Sequence, residues 1–513
     1  MIFLPRIWRS IALQSICFML ILMEKNGIPH PFLSSRLLLS LTEKLKKLYL
    51  DEIFLECRGL GLTDLKGRTM SLIRYMALTS VVALVGVAGA PAWAAGDERA
   101  SEVNAAGQKK EDVRKQKDGL LPPKEALDQK DTDIAPDAYQ PHGYEMGSFL
   151  LFPKMEIDVT GNSNIYATST DGKYDTITTY RPEMMLKSRF DQHEIAATVR
   201  GERKEYNIHD RESVTNSFAS LSGRYDFNKA DNASILLSYV KDHENRGSLD
   251  DAGGLRPTEY QYLTANPSVT VNLGDLKSTV ALLAVNRNID DTPTSAGIEP
   301  SHFRNRNEYE LSLRESYEFI PGYSWVGEGT YQQRRYRHEQ DQHGRQRDSD
   351  GYRVSTGIGL DVSELIRGDF QLGYMERDYE DRTFSDPSGY YARAQFNWMP
   401  TKLTTVLPTV ERSIDETTAV GASSVIRTAF STEIRHELQR NVILGSNLSY
   451  EINDQQGGTN LESQIFAASV RGTYLFNENL YSSVELGQKR KIASLPSSGF
   501  NQTTGMVRLG IQY

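Results

Sequence analysis

Charged side chains recur at every second position in several stretches of this sequence. In VRGERKEY, Arg200, Glu202 and Lys204 alternate with Val199, Gly201 and Arg203. Glu310 and Arg314 flank Ser312, Glu328, Gln332 and Arg334 share one parity, and Arg471 and Arg508 project similarly in their own stretches. In an extended chain a period of two places each set on a single face. Facing rows of opposite charge do one of two kinds of work. They brace a wall through cross-strand salt bridges, or they line a hydrated passage and select what crosses it. The residues leave both open.

Other chemistry finds less support. The string HEQDQHGRQRDSD brings His338, Asp341 and His343 close in sequence, but it carries both charge signs and reads as a solvated loop rather than a metal site. The chain has no G-x-S-x-G elbow and no H-E-x-x-H zinc motif. Nothing selects a Ser-His pair, so no enzyme and no cofactor are expected.

The elements that must position these charges are strands. From Phe149 to Tyr513, segments of about ten residues alternate in hydrophobicity, and no long window carries apolar residues at helical spacing. SILLSYVK puts Ile235, Leu237 and Tyr239 on one face; Tyr309, Leu311 and Leu313 share another, as do Phe370, Leu372 and Tyr374. The last stretch, GMVRLGIQY, sets Val507, Leu509, Ile511 and Tyr513 opposite Met506, Arg508, Gly510 and Gln512.

The breaks between strands alternate in length. Short ones such as RFDQH, NLGDLKS, FIPGY and FNEN take turns with long polar ones such as GNSNIYATSTDGKYD, KDHENRGSLDDAGG and NIDDTPTSAGIEPSHFRNRN. They predict an all-β, closed antiparallel transmembrane barrel of about 18 strands (16–18), with eight short periplasmic turns and nine long extracellular loops. Closure of the first strand on the last removes the free edge that a terminal strand would otherwise expose. The apolar face then meets lipid and the charged face lines the lumen, since charges facing lipid cost several kcal/mol each near the midplane. Glu315 and Pro408 break the pattern, and each needs a bulge or a place near the interface. Tyrosines near strand ends (Tyr174, Tyr180, Tyr206, Tyr260, Tyr262, Tyr323, Tyr336, Tyr379, Tyr390 and Tyr391) suit aromatic girdles better than sugar platforms.

Upstream, Arg74, the apolar run Ala77–Gly89 and Ala92-Trp93-Ala94 make 70–94 a cleaved signal peptide. Residues 1–69 then precede the expected translation start. Residues 95–148 are charged and contain proline, which predicts a disordered periplasmic extension. Both cysteines, Cys17 and Cys57, lie before the signal, so the mature chain has no disulfide framework. Its net charge rises in magnitude from −9 to −14, because residues 1–94 hold 11 Lys+Arg against 6 Asp+Glu. An acidic chain is not a dedicated nucleic-acid binder, and a mean hydropathy of −0.48 excludes a helical membrane bundle.

The stretch from Phe149 to Tyr206 resembles the start of the putative beta-barrel porin 2 family. It carries a Pro-led first strand (Pro153), Asn162 followed by Asn164-Ile165-Tyr166, and Pro182 in the second strand. GLDVSELIRGDFQLGYMERDYED resembles a later strand of that family, and the likeness spans about 149–513. Gly161 departs from it, where an acidic residue is usual. The resemblance implies an outer-membrane channel associated with export or surface handling of exopolysaccharide. Alternatives are a general diffusion porin, or a structural barrel anchoring a periplasmic partner. Expected partners are outer-membrane lipids and lipopolysaccharide, polysaccharide or periplasmic export components, and barrel-assembly machinery. That machinery would recognise the terminal row Val507, Leu509, Ile511 and Tyr513.

Overall fold

The computed structural model describes residues 139–248, 251, 253–362, 365–417, 422–457 and 461–513. The expected signal peptide, the segment before it and the extension as far as residue 138 lie outside the described residues.

Twenty-one strands follow in chain order: β1 Tyr144–Met146, β2 Phe149–Asn162, β3 Asp175–Ser188, β4 Glu194–Tyr206, β5 Val214–Asp226, β6 Asn232–His243 and β7 Glu259–Leu273. Next come β8 Leu276–Ile289, β9 Thr292–Thr294, β10 Gly297–Glu299, β11 Arg306–Ile320, β12 Tyr323–Tyr336, β13 Ser349–Val362 and β14 Ile366–Tyr379. The chain ends with β15 Ser388–Thr401, β16 Thr404–Glu416, β17 Ser424–Gln439, β18 Val442–Gln456, β19 Glu462–Leu475, β20 Leu480–Ala493 and β21 Phe500–Gln512. Strands β9 and β10 form a hairpin inside one loop. β1 extends the edge of β2, in a stretch expected to lack order. The other eighteen form the wall.

Each wall strand pairs antiparallel with its chain neighbours. β21 closes the ring on β2 from Lys154↔Gln512 to Asn162↔Thr504. Connections at one rim run 2–5 residues, and those at the other 5–16. Short turns of this kind face the periplasm. All eight short breaks legible in the sequence are turns here. Four of the nine long-rim loops, 207–213, 417–423, 457–461 and 494–499, are seven residues or fewer.

Side-chain exposure follows the predicted alternation. In β21, Val507, Leu509 and Ile511 are 55%, 48% and 56% exposed, while Arg508 is 3% exposed. The outward face supplies what a lipid surface requires, and the inward face holds the charge. A charge placed outward at mid-wall should therefore be costly. Leu486, 68% exposed and midway along β20, is the test position. Leu486→Arg should lower unfolding stability in vesicles by about 2–4 kcal/mol, whereas Leu486→Phe should be near neutral in the same urea titration.

The wall prolines sit where the ladder opens. Proline has no N–H to donate. Pairing of β3 with β4 skips Arg181 and Pro182, that of β7 with β8 skips Asn266 and Pro267, and that of β15 with β16 skips Leu407 and Pro408. The Asn266 side-chain amide donates to Leu282 O at 3.2 Å inside its gap. Pro153 lies where β2 changes neighbour, between its pairing with β1 and that with β21. Glu315 faces outward, five residues from the short-turn end of β11, and accepts from Ser278 Oγ at 2.8 Å on the adjacent strand. A place near the interface accommodates it.

Candidate functional site

All nine charged or amide residues picked from the sequence face inward, but they do not form one site. Arg508 and Glu202 join a buried cluster at the seam. There Arg508 holds Asp158 at 2.7 Å and Glu156 at 3.4 Å, and Arg181 holds Asp158 at 2.8 Å and Glu202 at 2.9 Å. Lys154 adds a contact to Glu156 at 3.0 Å. Arg200 lies beside it, 3.5 Å from Glu183.

A second group lies on β11–β14. Arg314 bridges Glu328 at 3.1 Å and Asp369 at 3.2 Å, the Gln332 amide donates to Glu310 at 2.6 Å, and Arg353 reaches both Glu310 and Glu328. Arg334 pairs with Glu416. Arg471 stands apart with Glu485 at 2.6 Å. The inward carboxylates Glu156 and Asp158 were missed, although KMEID repeats the same period-two signal.

The tyrosines divide. Tyr174, Tyr180, Tyr323 and Tyr390 are exposed on the outside, where girdles belong. Tyr260, Tyr262, Tyr379 and Tyr391 are buried inside, and Tyr206 and Tyr336 also turn inward. For these six the girdle expectation is corrected, because their parity in the strand points to the lumen. Guanidinium groups lie over several inward rings: Arg353 over Tyr391 at 4.6 Å, Arg287 over Tyr262 at 4.9 Å and Arg200 over Phe218 at 4.9 Å. Such contacts hold Arg against an aromatic face.

Two long-loop elements lean into the lumen. Pairing between β15 and β16 reaches only Ala392↔Arg412, while β16 and β17 continue to Glu416↔Ser424. The hairpin tip therefore leaves the wall. Glu416 accepts from Tyr336 Oη at 3.1 Å and Tyr379 Oη at 3.2 Å, in addition to Arg334. Ile414 and Ile426 pack with Met375 and Tyr391 below the tip. The loop after β6 reaches across to β20, six strands away around the ring: Arg246 binds Glu212 at 2.6 Å, and Gly247 O accepts from Lys491 of β20 at 2.9 Å. Gly247 has φ +72°, and a Cβ there would lie 2.8 Å from the Phe500 ring.

Between these fillings one side of the wall stays open. Among the described residues, the mid-wall inward positions that remain exposed are Glu411 of β16, Ser431 of β17, and Asn447 and Ser449 of β18. Cross-strand register sets Ser431 beside both Thr409 and Ser449. Arg393 faces Glu411 across β15–β16. This hydroxyl- and amide-lined lane, with charge of both signs at its edge, is the candidate functional site. Its side chains both donate and accept hydrogen bonds.

The histidine-rich loop 337–348 serves its own fold. Asp341 accepts from the His343 and Arg345 amides at 2.8 and 3.1 Å and from Arg347 Nε at 2.8 Å. Burial pushes its carboxyl up, but those donors outweigh burial and hold it below the ordinary range. The His338 ring packs against His302 and Phe303 instead.

A family model described as putative beta-barrel porin 2 matches residues 136–513. No curated protein matches the chain. Among solved structures, the outer membrane protein OpdK of Pseudomonas aeruginosa aligns at 10% identity and TM-score 0.36, over 71% of this chain and 99% of its own. OccAB4 of Acinetobacter baumannii aligns at 11% and 0.38, over 71% and 98%. The siderophore receptor PiuA of Acinetobacter baumannii aligns at 8% and 0.38, over 73% and 82%.

Proposed function

This chain belongs to the putative beta-barrel porin 2 family, and from that premise we propose that it is an outer-membrane channel that passes carbohydrate chains, as in export or surface handling of exopolysaccharide. The observation that carries the reading is the lane on β16–β18. Glu411, Ser431, Asn447 and Ser449 keep an exposed polar strip beside a lumen otherwise filled by ion pairs. A polyhydroxylated chain exchanges hydrogen bonds with such a strip as it does with water, so entry costs little desolvation. Arg353, lying over the Tyr391 ring at 4.6 Å, stands at its border and adds a cationic donor. Barrels of 16–18 strands are wide enough to leave an aqueous channel.

Planar-bilayer recording tests the proposal. Neutral oligosaccharides should interrupt the ion current for times that lengthen with chain length. A general diffusion porin would conduct without such interruptions, and a structural barrel that anchors a partner would be silent. Narrowing the lane by Asn447→Trp should reduce conductance severalfold, while outward Leu448→Phe should leave it unchanged. Equal conductance in Asn447→Trp and the parent would place the passage elsewhere. The terminal row Val507, Leu509, Ile511 and Tyr513 supports recognition by assembly machinery, since three of its side chains lie on the outer face of the closing strand. Shortening that row should slow insertion without altering the conductance of what does insert.

A further inference from the structure

Arg393 and Glu411 differ from the other charges at the border of the lane. They sit directly opposite each other on β15 and β16, on the inward face. Arg427 is held by Glu451 at 2.8 Å, Arg471 by Glu485 at 2.6 Å, and Arg353 reaches Glu310 and Glu328. Among the described residues, Arg393 and Glu411 join no ion pair and no hydrogen bond. Two further carboxylates act on Arg393, Asp369 and Glu328. Arg314 already takes both, at 3.2 and 3.1 Å.

The wall opens at this pair. Pairing of β15 with β16 ends one residue above it, at Ala392↔Arg412, where the hairpin tip departs. Beyond that point Ile414 packs with Met375, Tyr391 and Ile426. An apolar ceiling thus closes the lane just above two charges. Below them Thr409, Ser431 and Ser449 follow in register across β16, β17 and β18. Glu411 is exposed, and no nitrogen of Arg393 is sealed from the lumen.

A guanidinium only donates hydrogen bonds, and an ionised carboxylate only accepts them. A ligand set between the two must accept at one end and donate at the other, which adjacent hydroxyls do. A ligand carboxylate would meet Glu411 as well as Arg393, and a ligand ammonium would meet Arg393 as well as Glu411. Net charge on the ligand therefore gains nothing here. We propose that Arg393 and Glu411 clamp the vicinal hydroxyls of one neutral sugar unit, and that this clamp is the specificity-determining subsite of the lane. The proposal rests on reading β16–β18 as the passage. Hydrogen bonds to ionised groups are about twice as strong as neutral ones, so the pair holds a passing chain longer than the hydroxyls below it.

Planar-bilayer recording with maltohexaose tests the clamp. Current interruptions in the parent should outlast those in Glu411→Gln and in Arg393→Gln by about tenfold. The double variant should lose little more than either single one, because a clamp needs both ends. Both variants should keep the heat-modifiable band, since neither side chain bonds to the wall. In a KCl gradient, Glu411→Gln should move the reversal potential toward anion preference and Arg393→Gln toward cation preference. A hexamer of galacturonic acid should be held more briefly than maltohexaose in the parent, and longer in Glu411→Gln than in the parent. Equal interruptions by maltohexaose in the parent and both variants overturn the clamp and leave the passage of sugars standing. Unmoved reversal potentials overturn it too, by placing both charges off the ion path. Equal residence of the acidic and neutral hexamers in the parent overturns the assignment to a neutral unit. A parent that maltohexaose never interrupts removes the channel reading itself, and the clamp with it.

Discussion

Arg508→Ala should lower the temperature at which the folded, fast-migrating band converts to the unfolded one, by the equivalent of about 3 kcal/mol. Arg508 is the cation by which the last strand holds the first. Its Nε and Nη2 take Asp158 at 2.7 and 2.8 Å, and its Nη1 approaches Glu156 at 3.4 Å. All three side chains are buried. Removing the guanidinium leaves two buried carboxylates to be served by Arg181, Lys154 and the Tyr481 hydroxyl, and an undercompensated buried charge costs far more than a lost surface pair. Arg508→Lys should recover only part of the loss, because a single ammonium cannot reproduce the two-pronged contact. Arg203 and Glu205, 3.4 Å apart and both exposed, supply the contrast. Arg203→Ala should change the same measurement by less than about 1 kcal/mol. Equal effects from Arg203→Ala and Arg508→Ala would refute a special role for the seam cluster.

Glu416→Ala should have the largest effect on current. Glu416 is the acceptor for Arg334 and Tyr336, and the single Tyr379 hydroxyl proton is shared between Glu416 at 3.2 Å and Ser423 O at 2.9 Å on the far side of the tip. These contacts join β12 and β14 to a hairpin that has already left β15. Without the carboxylate, Arg334 keeps only a long contact to Ile414 O at 3.5 Å and Glu308 at 3.9 Å. The tip should then detach by about 3 kcal/mol of lost anchoring, roughly a hundredfold shift toward the released state. The expected record is higher conductance with added open-channel noise. A double-mutant cycle with Arg334→Ala should show coupling of about 1–3 kcal/mol in stability. Conductance indistinguishable from the parent would mean that the tip does not restrict the lumen.

Both predictions start from charges, yet the two were not equally visible beforehand. Arg508 and its row were legible because period-two alternation is a local property: each residue's side of the sheet follows from its neighbours' parity, and lipid cannot accept the charged side. Parity likewise placed the nine lumen residues, and turn composition placed the short connections. The same reasoning misassigned Tyr206, Tyr260, Tyr262, Tyr336, Tyr379 and Tyr391, since proximity to a strand end says nothing about which face a ring takes. Nor did it mark Glu416, which looks like any loop acid until β12 and β14 are brought beside it.

The chain's own pattern thus determined an antiparallel wall, its approximate strand number, its two faces and its alternating rims. All of these follow from contacts between residues adjacent in sequence or joined by one turn. Which side of the lumen stays open was decided by the tertiary structure alone. So were the hairpin that leans inward, the loop that crosses to Lys491, and the seat of Tyr139 among Ile443, Leu475 and Tyr481. Each depends on side chains about 80 to 300 residues apart that meet only when the ring closes, and no periodicity encodes such a meeting.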